Sequence, residues 1–305
     1  MIQYSDPMGE GFLANLASLQ RRLTSVSTQV SSGVRVSKPS DAPEDVVDIV
    51  RLRSEIAQAK QTTQNLNQVK TQAEAADNAL QSAIQLVEKA ITDASQAAGS
   101  TGEPRRPTLA TAVEAIQQQL VEISRTSDQG QYIFSGDHDE TPVYQYDSTA
   151  ANGVVQLQNP TATRLAMGPG GGTFAVSKTA QEIFDARNAD GTVADGNAFA
   201  AVNDLRVALE NNDSAGIDSA LTKLRQADAH LNQQAAFYGT VEDRITTQLS
   251  LADKYNTRWT TELGEKRDTD TVSAAVELTQ LETQQSAAYS ARSNVPHTSL
   301  FDYLK

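Results

Sequence analysis

From residue 217 to 263 the sequence spaces its apolar side chains alternately four and three apart. The series is Ile217, Leu221, Leu224, Asp228, Leu231, Ala235, Tyr238, Glu242, Ile245, Leu249, Ala252, Asn256, Trp259 and Leu263. Residues so spaced share one face of an α-helix, and a heptad sustained this long demands a long helix with a helical partner. Three members are polar: Asp228, Glu242 and Asn256 recur two heptads apart. Polar residues in such a seam set register at a cost in stability.

The partners are legible nearer the start. Phe12, Leu16, Leu19, Leu23, Val26 and Val30 form one stripe, with Arg21 and Arg22 lying off it. A second helix is expected over roughly 42–98, because Leu66, Val69, Ala73, Ala76, Leu80, Ala83, Val87, Ala90, Ala94 and Ala97 keep the same spacing. After a turn at "GSTGEPRRP", a third carries Leu109, Val113, Ile116, Leu120 and Ile123. A helix at about 197–211 precedes the long one, and a last, small-residue helix is expected at about 270–294.

The stretch "QVSSGVRVSKPSDAPEDVVDIV" stops the first helix and starts the second. Gly33 suits a helix C-terminus, where a positive φ is cheap for glycine. Pro39 cannot continue a helix interior. Asp41 stands three before Glu44, a capping-box spacing, and Pro43 is tolerated in a first turn. Glu44 and Asp45 would face the positive end of the new helix dipole.

From about Gln131 the period changes. "QYIFSG", "TPVYQY", "NGVVQLQ", "TRLAMG" and "GTFAVS" are short β-branched and aromatic runs punctuated by Gly, Pro, Asn and Asp. The expected fold is therefore mainly α: a long antiparallel bundle or coiled coil formed by both chain ends, with a small β-rich insert at its tip. The expected divisions are 1–40 with 268–305 as terminal helices, 41–131 with 197–267 as a helical bundle, and 132–196 as the β-rich part. Because the heptads lie outside it, deletion of about 135–195 is expected to leave the helices folded.

Chemistry is hard to find. The chain has 305 residues, no cysteine and a net charge of −13. Cysteine-based metal sites and nucleophiles are excluded, and so acidic a chain is a poor binder of nucleic acid. No apolar run is long enough to insert in a membrane, and the first residues lack the basic and apolar regions of a cleaved signal. That absence fits a cytoplasmic protein, or one exported by another route. "DHDE" (Asp137 to Glu140) lacks Ca-loop spacing and reads as a solvated acidic turn. "GPGGG" (Gly168 to Gly172) lacks the closing G-K-[ST] of a phosphate loop and reads as a hairpin connection. No catalytic, cofactor or metal residue stands out. The end "TSLFDYLK" instead concentrates Leu300, Phe301, Tyr303 and Leu304 after Pro296. Apolar area of that kind marks an interaction surface, so these four join the first stripe as candidate assembly residues.

Three stretches carry a resemblance. "QVSSGVRVSKPSDAPEDVV" resembles the N-terminal signature of the flagellin superfamily, and its Pro39–Pro43 segment is similar to that of the hook–filament junction branch. "GQYIFSGDHDETPVY" resembles the same branch where helices hand over to β structure, and "SLFDYL" resembles its C-terminus. The resemblance implies a non-enzymatic structural subunit of the bacterial flagellum, exported unfolded through the flagellar type III apparatus and located at the hook–filament junction. It implies as partners copies of itself in a ring or helical assembly, the hook-side junction protein (hook-associated protein 1), flagellin, and a cytoplasmic export chaperone. No cofactor is implied. The Val-Pro of "VPHTSLF" is shared with filament flagellin, which stands as the alternative. A secreted enzyme or effector with its site in 131–200 is a distant one.

Overall fold

The computed structural model describes residues 7–98, 102–160 and 162–293. Among the described residues seven α-helices carry most of the sequence: α1 (Pro7–Ser32), α2 (Val46–Ala97), α3 (Arg106–Ser124), α4 (Ala180–Phe184), α5 (Ala198–Glu210), α6 (Ser214–Arg267) and α7 (Thr271–Ser293). Residues group into two compact units, Met1–Ala57 with Asn256–Lys305, and Gln58–Tyr255. The first is called the terminal unit below, the second the central unit.

In the central unit the heptad stripes point inward. Leu66, Leu80, Val87, Val113, Leu120, Ile217, Leu224, Leu231, Tyr238 and Ile245 are all buried. Alanines at Ala73, Ala76, Ala83, Ala90, Ala94 and Ala97 fill the rest of the α2 face. Small residues there let helices approach closely, at the cost of little apolar area per turn. Arg106 opens α3 almost fully buried, donating from Nε to the Ala97 carbonyl and from Nη2 to Ser214 Oγ. It thereby satisfies a carbonyl that the end of α2 leaves without a helical partner.

Six short strands follow α3: β1 (Ser127–Asp128), β2 (Gln131–Tyr132), β3 (Tyr144–Tyr146), β4 (Val154–Gln156), β5 (Leu165–Met167) and β6 (Thr173–Ala175). They pair only as three antiparallel two-stranded ladders, β1–β2, β3–β4 and β5–β6. Ladders of two or three residues are not independently stable, so something else holds the segment. One buried cluster provides it. Phe134, Val143, Tyr144, Val154, Phe174, Val176, Ile183 and Phe184 join the same core as the stripes of α2, α3, α5 and α6. The expectation that the helices stand without residues 135–195 is therefore corrected: the insert shares their core and adds Tyr144, Phe174 and Phe184 to it.

Polar side chains pin it as well. Asp185, fully buried, accepts from Tyr144 Oη at 2.9 Å, Asn197 Nδ2 at 2.6 Å and Arg187 Nη2 at 2.8 Å. Burial and the Asp185 carboxylate together push the Tyr144 phenol far above its ordinary range. Asn203 and Arg206 of α5 donate to the Ala151 and Ser148 carbonyls, clamping the β3–β4 turn. "DHDE" is a solvated turn, as expected, with Asp137, His138 and Glu140 exposed, while Arg164 ties its Asp139 to Gln72 of α2. "GPGGG" connects β5 to β6, as its composition indicated.

Candidate assembly surface

The terminal unit is built from α1, the connecting segment 33–45, the first turns of α2, the last turns of α6, and α7. α1 lies against α7. Val26, Ala274 and Leu281 are the buried centre of that pair, and Leu19, Leu23, Val30 and Leu278 pack partly around them. Arg22 bonds Glu277 at 2.9 Å, and the Arg292 guanidinium sits 5.7 Å from the centre of the Phe12 ring. Both ion pair and ring contact are exposed enough to add little stability.

Of the six N-terminal stripe residues, only Val26 is buried. Phe12, Leu16, Leu19, Leu23 and Val30 are half-buried. Leu13 is 63 % exposed, and on α7 Val272, Val276 and Tyr289 are exposed too. A pair of helices can close one seam between them; its outer apolar positions need further partners. Leu300, Phe301, Tyr303 and Leu304 lie outside the described residues.

The break between α1 and α2 is a structured connection. Gly33 takes φ +70°, and its N–H donates to the Gln29 carbonyl at 2.9 Å. The chain then runs beside the segment after α6. Arg35 and Val36 N–H groups donate to the Arg267 carbonyl, and Thr269 N–H donates to the Gly33 carbonyl. Val36 and Ala42 close a small core with Ile49, Leu52 and Leu263. Pro39 and Pro43 stay at the surface.

Asp41 does not cap α2 as its spacing with Glu44 indicated. Its carboxylate accepts from the N–H groups of Lys38 at 2.8 Å and Ser37 at 3.0 Å, and from the Ser37 hydroxyl at 3.0 Å. Those bonds, the Lys38 N–H foremost, hold its carboxyl below the usual range. The helix opens four residues later than expected, at Val46. Asp41 belongs to the turn that contains Pro39, where a carboxylate can bond backward to its own loop.

Asp45, just before α2, carries a contact the sequence did not disclose. It bonds Arg35 at 2.8 Å and Lys266 at 3.0 Å, and Arg35 also donates to the Lys266 carbonyl. The Arg35 bond, then the Lys266 bond, lower the Asp45 carboxyl, and Asp45 in turn raises the Lys266 ammonium. Arg35 and Lys266 lie 231 positions apart, so no local pattern could pair them. Among the described residues no cluster of three or more His, Asp or Glu side chains is placed to hold a metal ion.

Known proteins give this geometry a context. Residues 11–139 match the family described as the bacterial flagellin N-terminal helical region, and 216–304 match the bacterial flagellin C-terminal helical region. Flagellar hook-associated protein 3 of Escherichia coli (strain K12) is 26 % identical over 298 residues, spanning 91 % of each chain. A Vibrio parahaemolyticus structure described as a flagellar hook-associated protein superposes with a TM-score of 0.64 at 19 % identity. It is matched over its whole length by 75 % of this chain. Bacillus cereus FlgL gives 0.51 at 17 % identity, over 66 % of this chain and 99 % of its own.

Proposed function

Because the chain belongs to the bacterial flagellin family through both of its helical ends, we propose that it is a structural subunit joining the flagellar hook to the filament. The observation that carries this reading is the α1–α7 pair. It buries three side chains and leaves Leu13, Val272, Val276 and Tyr289 exposed, beside a stripe that is otherwise half-covered. A monomer gains nothing from such faces, whereas neighbouring copies could cover them. The likeness to hook-associated protein 3 along nearly the whole chain favours the junction over the filament.

On this reading residues 1–40 and 268–305 form the assembling part, and Phe12, Leu16, Leu19, Leu23, Val26, Val30, Leu300, Phe301, Tyr303 and Leu304 supply its contacts. Gly33, Pro39, Asp41 and Pro43 shape the connection to the outer residues 41–267, of which 132–196 are the β-rich portion. The neighbours are other copies, hook-associated protein 1 on the hook side and flagellin on the other. An export chaperone holds the C-terminal region before type III export to the flagellum. Activity lies in assembly and involves no catalysis. Filament flagellin is the second reading, favoured by the family descriptions themselves. Deleting the gene separates the two readings: a junction subunit predicts hooks without filaments and flagellin shed into the medium, and a filament subunit predicts bare hooks with none shed. Normal filaments in the deletion strain would overturn the proposal.

A further inference from the structure

The polar members of the long α6 stripe are not used by the assembly reading. Asp228 lies between Leu224, Ala227 and Leu231, all fully buried, and its Oδ1 is buried with no hydrogen-bond partner. Asp93 on α2 is 8 % exposed, among Ala90, Ala94 and Ala97, and its Oδ2 is likewise buried and unpartnered. Glu242, two heptads beyond Asp228, is half-buried. Uncompensated carboxylates in a helical seam are costly while ionised.

Their charged surroundings add to that cost. The Glu88 charge of α2 acts against that of Asp228, and the charges of Asp77 and Glu74 of α2 act against that of Glu242, with Asp243 adding to them. The opposing cations are Lys70 near Glu242 and Lys89 near Asp93, and Lys70 is shared with Glu74 at 3.6 Å. Burial is the leading cause that pushes all three carboxyls upward, and like charges reinforce it at Asp228 and Glu242.

We propose that the buried, unpartnered carboxylates of Asp93 on α2 and Asp228 on α6 make the shared helical core of the central unit a proton-operated clasp, strained when they are ionised and tightened when they take up protons. The sign follows from linkage. A carboxyl whose folded pKa is raised binds protons more readily in the folded state, so its stabilisation grows as pH falls through that raised value toward the ordinary one and is lost as pH rises through it. Asp147, Glu182 and Asp190 of the same unit are shifted the other way. Their stabilisation fails only below the ordinary carboxylate range. Among the described residues, the carboxyls shifted so as to gain stability in mild acid are therefore Asp93, Asp228 and Glu242 of this seam. The clasp does not depend on the assembly reading.

The test is urea unfolding of the full chain at about pH 7.5 and about pH 5.5, above the range where ordinary carboxylates titrate. The wild-type midpoint should be higher in acid. Asp93→Asn with Asp228→Asn should raise the neutral midpoint above wild type and remove most of the acid gain. Each unit of raised pKa is about tenfold in the folding constant. Glu88→Gln, at an exposed position, is the second variant; it should raise the neutral midpoint and shrink the acid gain without touching the core. A wild-type midpoint that is flat or falls in acid would overturn the proposal. So would a full acid gain persisting in both variants.

Discussion

Replacing Phe184 with alanine probes the shared core most sharply. Phe184 is fully buried at the end of α4. Its ring meets Phe134 edge-on at 5.7 Å and stacks on Phe199 of α5 at 5.7 Å. Phe134 in turn reaches Tyr238 of α6 at 6.4 Å, and Phe199 reaches Tyr144 at 5.2 Å. The ring thus links the insert to two helices of the frame. Phe→Ala in a packed core costs about 3–5 kcal/mol. For a unit of this size each kcal/mol lowers Tm by about 2–4 °C, so a fall of about 6–20 °C is expected. The assay is thermal melting followed by far-UV dichroism for helix and near-UV dichroism for aromatic packing. Both signals should fall together, because one core serves both. A near-UV transition that drops while the helical transition stays at its wild-type midpoint would refute the shared core, and with it the claim that the frame needs the insert.

Other outcomes follow from the terminal unit. Leu281→Ala removes one of the three buried side chains of the α1–α7 pair, at about 2–5 kcal/mol. Amide exchange in Pro7–Ser32 and Thr271–Ser293 should approach unprotected rates while melting of Gln58–Tyr255 is unchanged. Gly33→Val puts a β-branched side chain at φ +70°, where space is open but the backbone is strained by about 1–2 kcal/mol. Protection of the Arg35, Val36 and Thr269 amides should fall and assembly with it; equal loss in the central unit would show that Gly33 serves that core. Asp45 has a lowered folded pKa, so its contribution is present above the ordinary carboxylate range and disappears as pH falls through the folded value. Protection at Arg35 and Val36 should therefore fail below about pH 4 in wild type, and Asp45→Asn should show that loss already at neutral pH.

The helical frame was legible because periodicity is local. Leu66 to Ala97 and Ile217 to Leu263 each print a buried face directly into the spacing of their side chains, and α5 and α7 begin within a residue of where composition put them. The β-rich runs were found by residue type, but their dependence on the helices was not. Nothing in "QYIFSG" says that Phe134 will meet Phe184 fifty positions on. The start of α2 was misjudged for a related reason: Asp41 and Glu44 have capping-box spacing, yet Asp41 bonds back to Ser37 and Lys38 within the proline turn. The Arg35–Asp45–Lys266 cluster unites the two ends of the chain, and only the fold brings those ends together. For the candidate assembly stripe, spacing identified the face but not its coverage, since five of six members remain half-exposed.

The central claim is a place in an assembly, so position is its most direct test. Antibody raised against Gln58–Tyr255 and carrying gold should be applied to intact flagella isolated with their hooks and imaged by electron microscopy. A subunit that joins hook to filament should label one narrow band at the boundary between them and leave the filament bare. Gold distributed along the whole filament would contradict the account and identify the chain as the filament's own subunit.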